Sequence, residues 1–147
     1  MSRYYVMRAL PTIAFLFICT SAMPAEASSC TELHFGEDVT VGGKLTKRTY
    51  AGPPNYQSIR HGDIPERVRI LRLDKLACLY PLPSDQENET KLNVTEVQLV
   101  FLDAESLQSA QTAPSRHVFV TGQFFSAQSG HHHTPALLEV SSIRPHK

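Results

Sequence analysis

The order of its patterned segments narrows the fold of this chain more than any other feature. Five stretches read as β-strands, and one helical stretch falls between the third and the fourth. The first, 38–50, sets Val39, Val41 and Leu45 on one side, with Gly42-Gly43 marking a bulge or tight bend. The second, 67–79, alternates Val68 and Ile70 with Arg67 and Arg69, then slips phase at Leu71 and Leu73, which predicts another bulge. In the third, 94–102, Val97, Leu99 and Phe101 share a face. In the fourth, 117–125, Val118, Val120 and Phe124 are in phase, and Leu138 and Val140 anchor the fifth, 136–143. Segment 103–111 opens on Asp103, a good N-cap, and continues with Ala, Glu, Leu and Gln, which predicts a short helix. The order β-β-β-α-β-β is that of an OB-fold, a five-stranded, partly open barrel with a helix after strand three. The expected fold class is therefore all-β, an OB-fold-like barrel.

The beginning of the chain reads differently. Arg3 and Arg8 precede an apolar segment, 10–23, and Ala25-Glu26-Ala27 follows the small-x-small cleavage rule. Residues 1–27 are thus expected to be a secretory signal peptide, with residues 28–147 forming one exported domain, periplasmic or secreted. The apolar segment is too short for a membrane-spanning helix. Of three cysteines the leader takes Cys19, leaving Cys30 and Cys78. An even pair in an exported chain predicts a disulfide. In a hairpin of the first two strands, the start of one lies near the end of the other, so Cys30 and Cys78 fall in the same region. Closing that loop contributes about 4 kcal/mol by the loop-entropy argument.

Charge excludes one class of partner. The 14 basic and 14 acidic residues cancel, and the leader's two arginines and one glutamate change that balance by a single unit. There is no cluster of Lys and Arg of the kind that binds nucleic acid, and no paired aromatic stripe for single strands. Arg67, Arg69 and Arg72 form a modest stripe on the second strand, read as a solvated face or, less readily, as contacts for an acidic ligand. No nucleophile-elbow or His-Glu-x-x-His motif occurs, and both remaining cysteines are accounted for by the bridge, so no enzyme activity is expected.

The unusual residues gather in two loops. In an OB-fold, ligands meet the loops joining strands 1–2 and 4–5. Here the first, 51–66, is long, rich in Pro and Gly, and carries Tyr56, Arg60, His61 and Asp63. The second, 126–135, holds His131, His132 and His133, followed by Thr134 and Pro135. In an extended segment His131 and His133 point to one side, and with His61 or Asp63 they form a candidate site for zinc or copper. The alternatives are that the histidines lock the loop through hydrogen bonds, or contact a ligand directly.

Tyr50-Ala51-Gly52-Pro53-Pro54-Asn55-Tyr56, Arg72-Leu73-Asp74 and Gly130-His131-His132-His133-Thr134-Pro135 resemble an uncharacterised family of exported bacterial domains of unknown function. The resemblance implies an OB-like strand pattern and bacterial export, and assigns no catalytic or ligand-binding residue. The expected function is an exported binding module that engages an envelope ligand or protein through Tyr56, His61, Asp63, His131, His133 and Thr134. A His-based metal-binding protein, and an envelope inhibitor or immunity-type protein using the same loops, are the two alternatives.

Overall fold

The computed structural model describes residues 30–82, 91–112 and 117–146. The expected leader, 1–27, lies outside the described residues. The elements are β1 (Thr31–His34), β2 (Asp38–Ala51), a 3-10 turn (Ile59–His61), β3 (Pro65–Tyr80), β4 (Leu92–Phe101), α1 (Ala104–Thr112), β5 (His117–Ser126) and β6 (Ala136–Pro145).

Five of these strands close a barrel. β2 pairs antiparallel with β3 and with β5, β3 antiparallel with β4, β4 parallel with β6, and β6 antiparallel with β5. Taken around the ring, the five long strands follow the OB arrangement, and α1 stands between the third and fourth of them. β2 can serve two neighbours because it bends at its glycines. Residues 38–44 pair with β5, and residues 43–51 pair with β3. A Cβ on Gly43 would collide with the Arg72 carbonyl across the ladder, so the tight crossing requires glycine there.

The core follows from strand alternation. Leu45, Leu71, Leu79, Val97, Val118, Val120, Phe124 and Leu138 are fully buried and pack in one cluster. Each such side chain contributes about 1.5–3 kcal/mol relative to exposure. α1 begins as anticipated: the Asp103 carboxylate accepts a hydrogen bond from the Ser106 N–H at 2.7 Å.

Two sequence expectations need correction. β1 was not anticipated, because its four residues are mostly polar and lie half-exposed along an edge. It runs parallel to the end of β3, from Thr31 opposite Ala77 to His34 opposite Tyr80. The Cys30–Cys78 disulfide forms at this junction, with a Cα–Cα distance of 5.7 Å. The bridge thus ties an added strand to β3 rather than bracing a hairpin of the first two barrel strands.

The second correction concerns β3. Of the slip at Leu71 and Leu73, Leu71 is in regular register with Val97, and the expected irregularity is the break in the β3–β4 register between Arg72 and Ala77. Ile70 and Leu71 are both fully buried, on opposite faces. Leu71 joins the barrel core, whereas Ile70 sits beside Gln98, itself beside Leu137, in a second buried row on the outer surface. Something must cover that outer row, and it is the loop 127–135.

Candidate functional site

Gln98 ties the covering loop to β4. Gln98 projects outward from β4; its amide nitrogen donates to the His131 carbonyl at 3.0 Å, and its amide oxygen accepts from the His133 N–H at 2.8 Å. Directly beneath, the Gln98 N–H donates to the Thr134 hydroxyl at 2.8 Å, and that hydroxyl donates to the Ala136 carbonyl at 2.7 Å. Gln98 and Thr134 are both buried. A buried amide satisfied on both ends fixes the loop to the strand, because breaking it would strand backbone groups away from water.

All three histidine rings then find partners. Glu66, the second residue of β3, receives two of them: His131 Nδ1 lies 2.9 Å from one carboxylate oxygen, and His133 Nε2 lies 3.1 Å from the other. A carboxylate only accepts, so both facing nitrogens carry hydrogen. His131 Nε2 lies 3.0 Å from the Tyr56 hydroxyl, in hydrogen-bond contact. His133 stacks flat on Tyr50, with ring centroids 4.3 Å apart. The third ring, His132, accepts the Gln128 N–H at 2.8 Å through Nδ1 and meets Phe125 edge-on. Burial works against the charge of Glu66, but the hydrogen bonds and positive potential of His131 and His133 outweigh it. Its carboxyl therefore titrates below its ordinary value.

The second loop is built around Asp63. Its neck is closed by Gly52 and Ile64, which bond N–H to carbonyl at 2.8 Å, and by the Ile64 N–H to the Pro53 carbonyl at 2.8 Å. Inside, the buried Asp63 carboxylate accepts from the N–H groups of Ser58 at 2.7 Å, Gln57 at 2.8 Å and Asn55 at 2.9 Å, and from the Asn55 side chain. Those donors, Ser58 and Gln57 foremost, lower its pKa to about 2. Within this wrapped loop Tyr56 adopts a left-handed backbone, with φ of 56°. Its ring lies over Gly130, where a Cβ would come within 2.8 Å of the ring carbons. The glycine before the three histidines is what lets the two loops touch.

Tyr56 and His131, 75 residues apart in sequence, therefore meet on one rim. Asp63 is spent on its own loop and does not face the histidines as a ligand. His61 sits exposed in the 3-10 turn, its N–H bonded to the Ser58 carbonyl. The set of His61, His131 and His133 does not assemble around one point; among the described residues no group of three or more His, Cys, Asp or Glu is placed to hold a metal ion. His131 and His133 do point to one side, as alternation requires, but what they converge on is Glu66. Thr134 bonds to the backbone at both ends and faces inward.

Sequence reasoning missed Glu66, Gln98 and Tyr50. Two of them announce themselves only once the outer face is known to be covered: Tyr50 and Glu66 are cross-strand neighbours on the face that also carries Ile70 and Gln98. The rim's exposed portion is unevenly composed. The His131 side chain is 56% exposed and that of His133 only 8%. On the other loop Ile59 and Ile64 are 44% and 62% exposed.

Residues 96–144 match the family described as a domain of unknown function, DUF4431. The matched segment begins at Glu96 inside β4 and takes in α1, β5, the histidine loop and all but the last residue of β6, and it does not reach back to Tyr56 and Glu66. No curated protein matches the chain. No helix among the described residues is long and apolar enough to cross a membrane.

Proposed function

We propose that this protein is an exported binding module that offers the joined rim of loops 52–64 and 127–135 to a protein partner in the cell envelope. The observation that carries the reading is the display of Ile59 and Ile64. Both belong to a loop whose backbone Asp63 already fixes, and both expose large apolar surface. Apolar side chains on a rigid loop lose little freedom when a partner covers them, which is the condition for efficient docking. Arg60 and His61, exposed and next to Ile59 in the chain, give that surface a polar border, as in the rim of a protein interface. The titratable groups of the clamp are satisfied by one another, which suits a scaffold more than a reaction centre. Export is supported by the leader pattern and by the Cys30–Cys78 bridge, which persists in oxidising compartments.

A photo-crosslinking residue at position 64 of the full chain, expressed in a bacterial host, tests the surface. A discrete envelope adduct is expected, lost in Ile59→Asp and absent when the crosslinker stands at exposed Thr40 instead. Identical adducts from both positions contradict the reading. N-terminal sequencing of the same preparation should begin at Ser28; recovery of an uncleaved chain in the cytoplasm removes the export claim.

A further inference from the structure

The strands that carry the rim outside carry a second polar group inside. Leu45, Leu71 and Val97 lie side by side across β2, β3 and β4, all fully buried in the barrel. The next inward-facing row, two residues along, is Lys47, Arg69 and Leu99. Beyond Arg69 on the same face comes Arg67, opposite Thr49. Arg72, which the sequence groups with these arginines, falls on the opposite face. Lys47 and Arg69 are thus directly paired like charges across an antiparallel ladder, an arrangement that repels unless a counter-charge sits between them.

No such counter-charge is found among the described residues. Arg69 Nη1 is buried and has no hydrogen-bond partner. Burial pushes the Arg69 guanidinium down from its ordinary value. An isolated buried N–H of a cation is among the costlier defects a fold can hold. The two arginines and Lys47 line a recess of about 330 Å³ whose other surfaces include Leu99, Phe101 and, from α1, Leu107. The recess therefore has a cationic side and an apolar side. Its volume is near the lower end of small-ligand sites, roughly 300–1,000 Å³.

We propose that this recess binds a small anionic amphiphile, its single carboxylate or phosphate head held by Arg69 with Lys47 and Arg67 and its short apolar chain laid against Leu99, Phe101 and Leu107. A guanidinium fork suits either head, because both present two oxygens to parallel N–H donors. The site is independent of the rim: it uses the inner face of the strands, whereas the rim uses the outer.

Octyl phosphate, octanoate and inorganic phosphate, titrated into the folded protein and followed by calorimetry and amide NMR shifts, test it. Octyl phosphate or octanoate should bind saturably at one site per chain, with the largest shifts at Arg67, Arg69 and Leu107. Inorganic phosphate should bind at least about tenfold more weakly, since it lacks the chain. Arg69→Met should weaken the amphiphile by about tenfold or more while the ligand-free variant melts no lower than the parent. Should Arg69→Met fold poorly, that result shows Arg69 to be satisfied by the protein and overturns the proposal. Leu107→Glu, on the exposed side of α1, gives a second variant with the same expected loss. Equal affinity in the variants, equal binding of inorganic phosphate, shifts centred elsewhere, or association only with anionic phosphatidylglycerol vesicles would each overturn it.

Discussion

Outer and inner faces of the same three strands treat polar residues in opposite ways. Outside, Glu66, Gln98, His131, His133 and Thr134 satisfy one another and hold a loop against the barrel. On the inward-facing rows, exposed Lys47 and Arg67 and half-buried Arg69 share a recess in which Arg69 Nη1 has no hydrogen-bond partner among the described residues. The contrast separates scaffold from site in a chain that lacks the nucleophile-elbow and His-Glu-x-x-His patterns. A cluster whose donors and acceptors balance is complete as it stands, so its removal costs stability. A buried donor left over within a cavity is where a partner from outside is to be sought.

Mutations that remove outer polar groups should therefore destabilise, and those that remove inner ones should not. The largest effect is expected for Gln98→Ala, which leaves the His131 carbonyl and the His133 N–H without partners. The loss is about 3 kcal/mol, or a fall in melting temperature of roughly 10 °C, read by thermal unfolding. Glu66→Gln comes next. One of its two histidine contacts becomes donor against donor, and about 2 kcal/mol is lost, measured by urea unfolding at neutral pH.

Acid should take the rim apart in sequence. Glu66 and Asp63 both titrate below their ordinary values, so each stabilises the fold above the unfolded pKa and ceases to do so as pH falls through the folded one. Asp63 holds its charge down to about 2, so its contribution fades only between 3.8 and that value. Hydrogen exchange on a falling pH series should show the His133 N–H released before the Ser58 N–H. Simultaneous release would mean that the two loops are one cooperative unit. The smallest effect belongs to the inner face: Arg69→Met should change stability by less than about 0.5 kcal/mol or raise it, because an unpaired cation is exchanged for an apolar side chain of similar length.

Much of the barrel was legible in the sequence because strand alternation reports burial directly. Val97, Leu99, Val118, Val120, Phe124 and Leu138 were read in their observed phase, and Asp103 marked the helix start. β3 was harder. Once both of its faces are covered, alternation no longer tells inside from outside, and Leu71 beside Ile70 looked like a bulge. The same ambiguity put Arg67 and Arg69 on a solvated face with Arg72, whereas they continue the inward row of Leu71. In the rim, the meeting of Tyr56 with His131 was legible from topology, since the fold carries those loops together. Their shared partner Glu66 was not, because a lone glutamate at a strand start has no signature until the histidines are seen to converge on it. Gln98 was hidden for a similar reason: its role depends on the backbone of a loop more than thirty residues away, as the distance from Gln98 to His131 in sequence shows.

Glu66 locks the histidine loop by taking the His131 and His133 nitrogens that a metal would need. A double-mutant cycle of Glu66→Gln and His133→Ala, read as unfolding free energy, tests it most directly. Coupling of about 1 kcal/mol or more is the expected result. Additive losses, together with a rise in melting temperature on adding one equivalent of zinc to the unmutated protein, would contradict it.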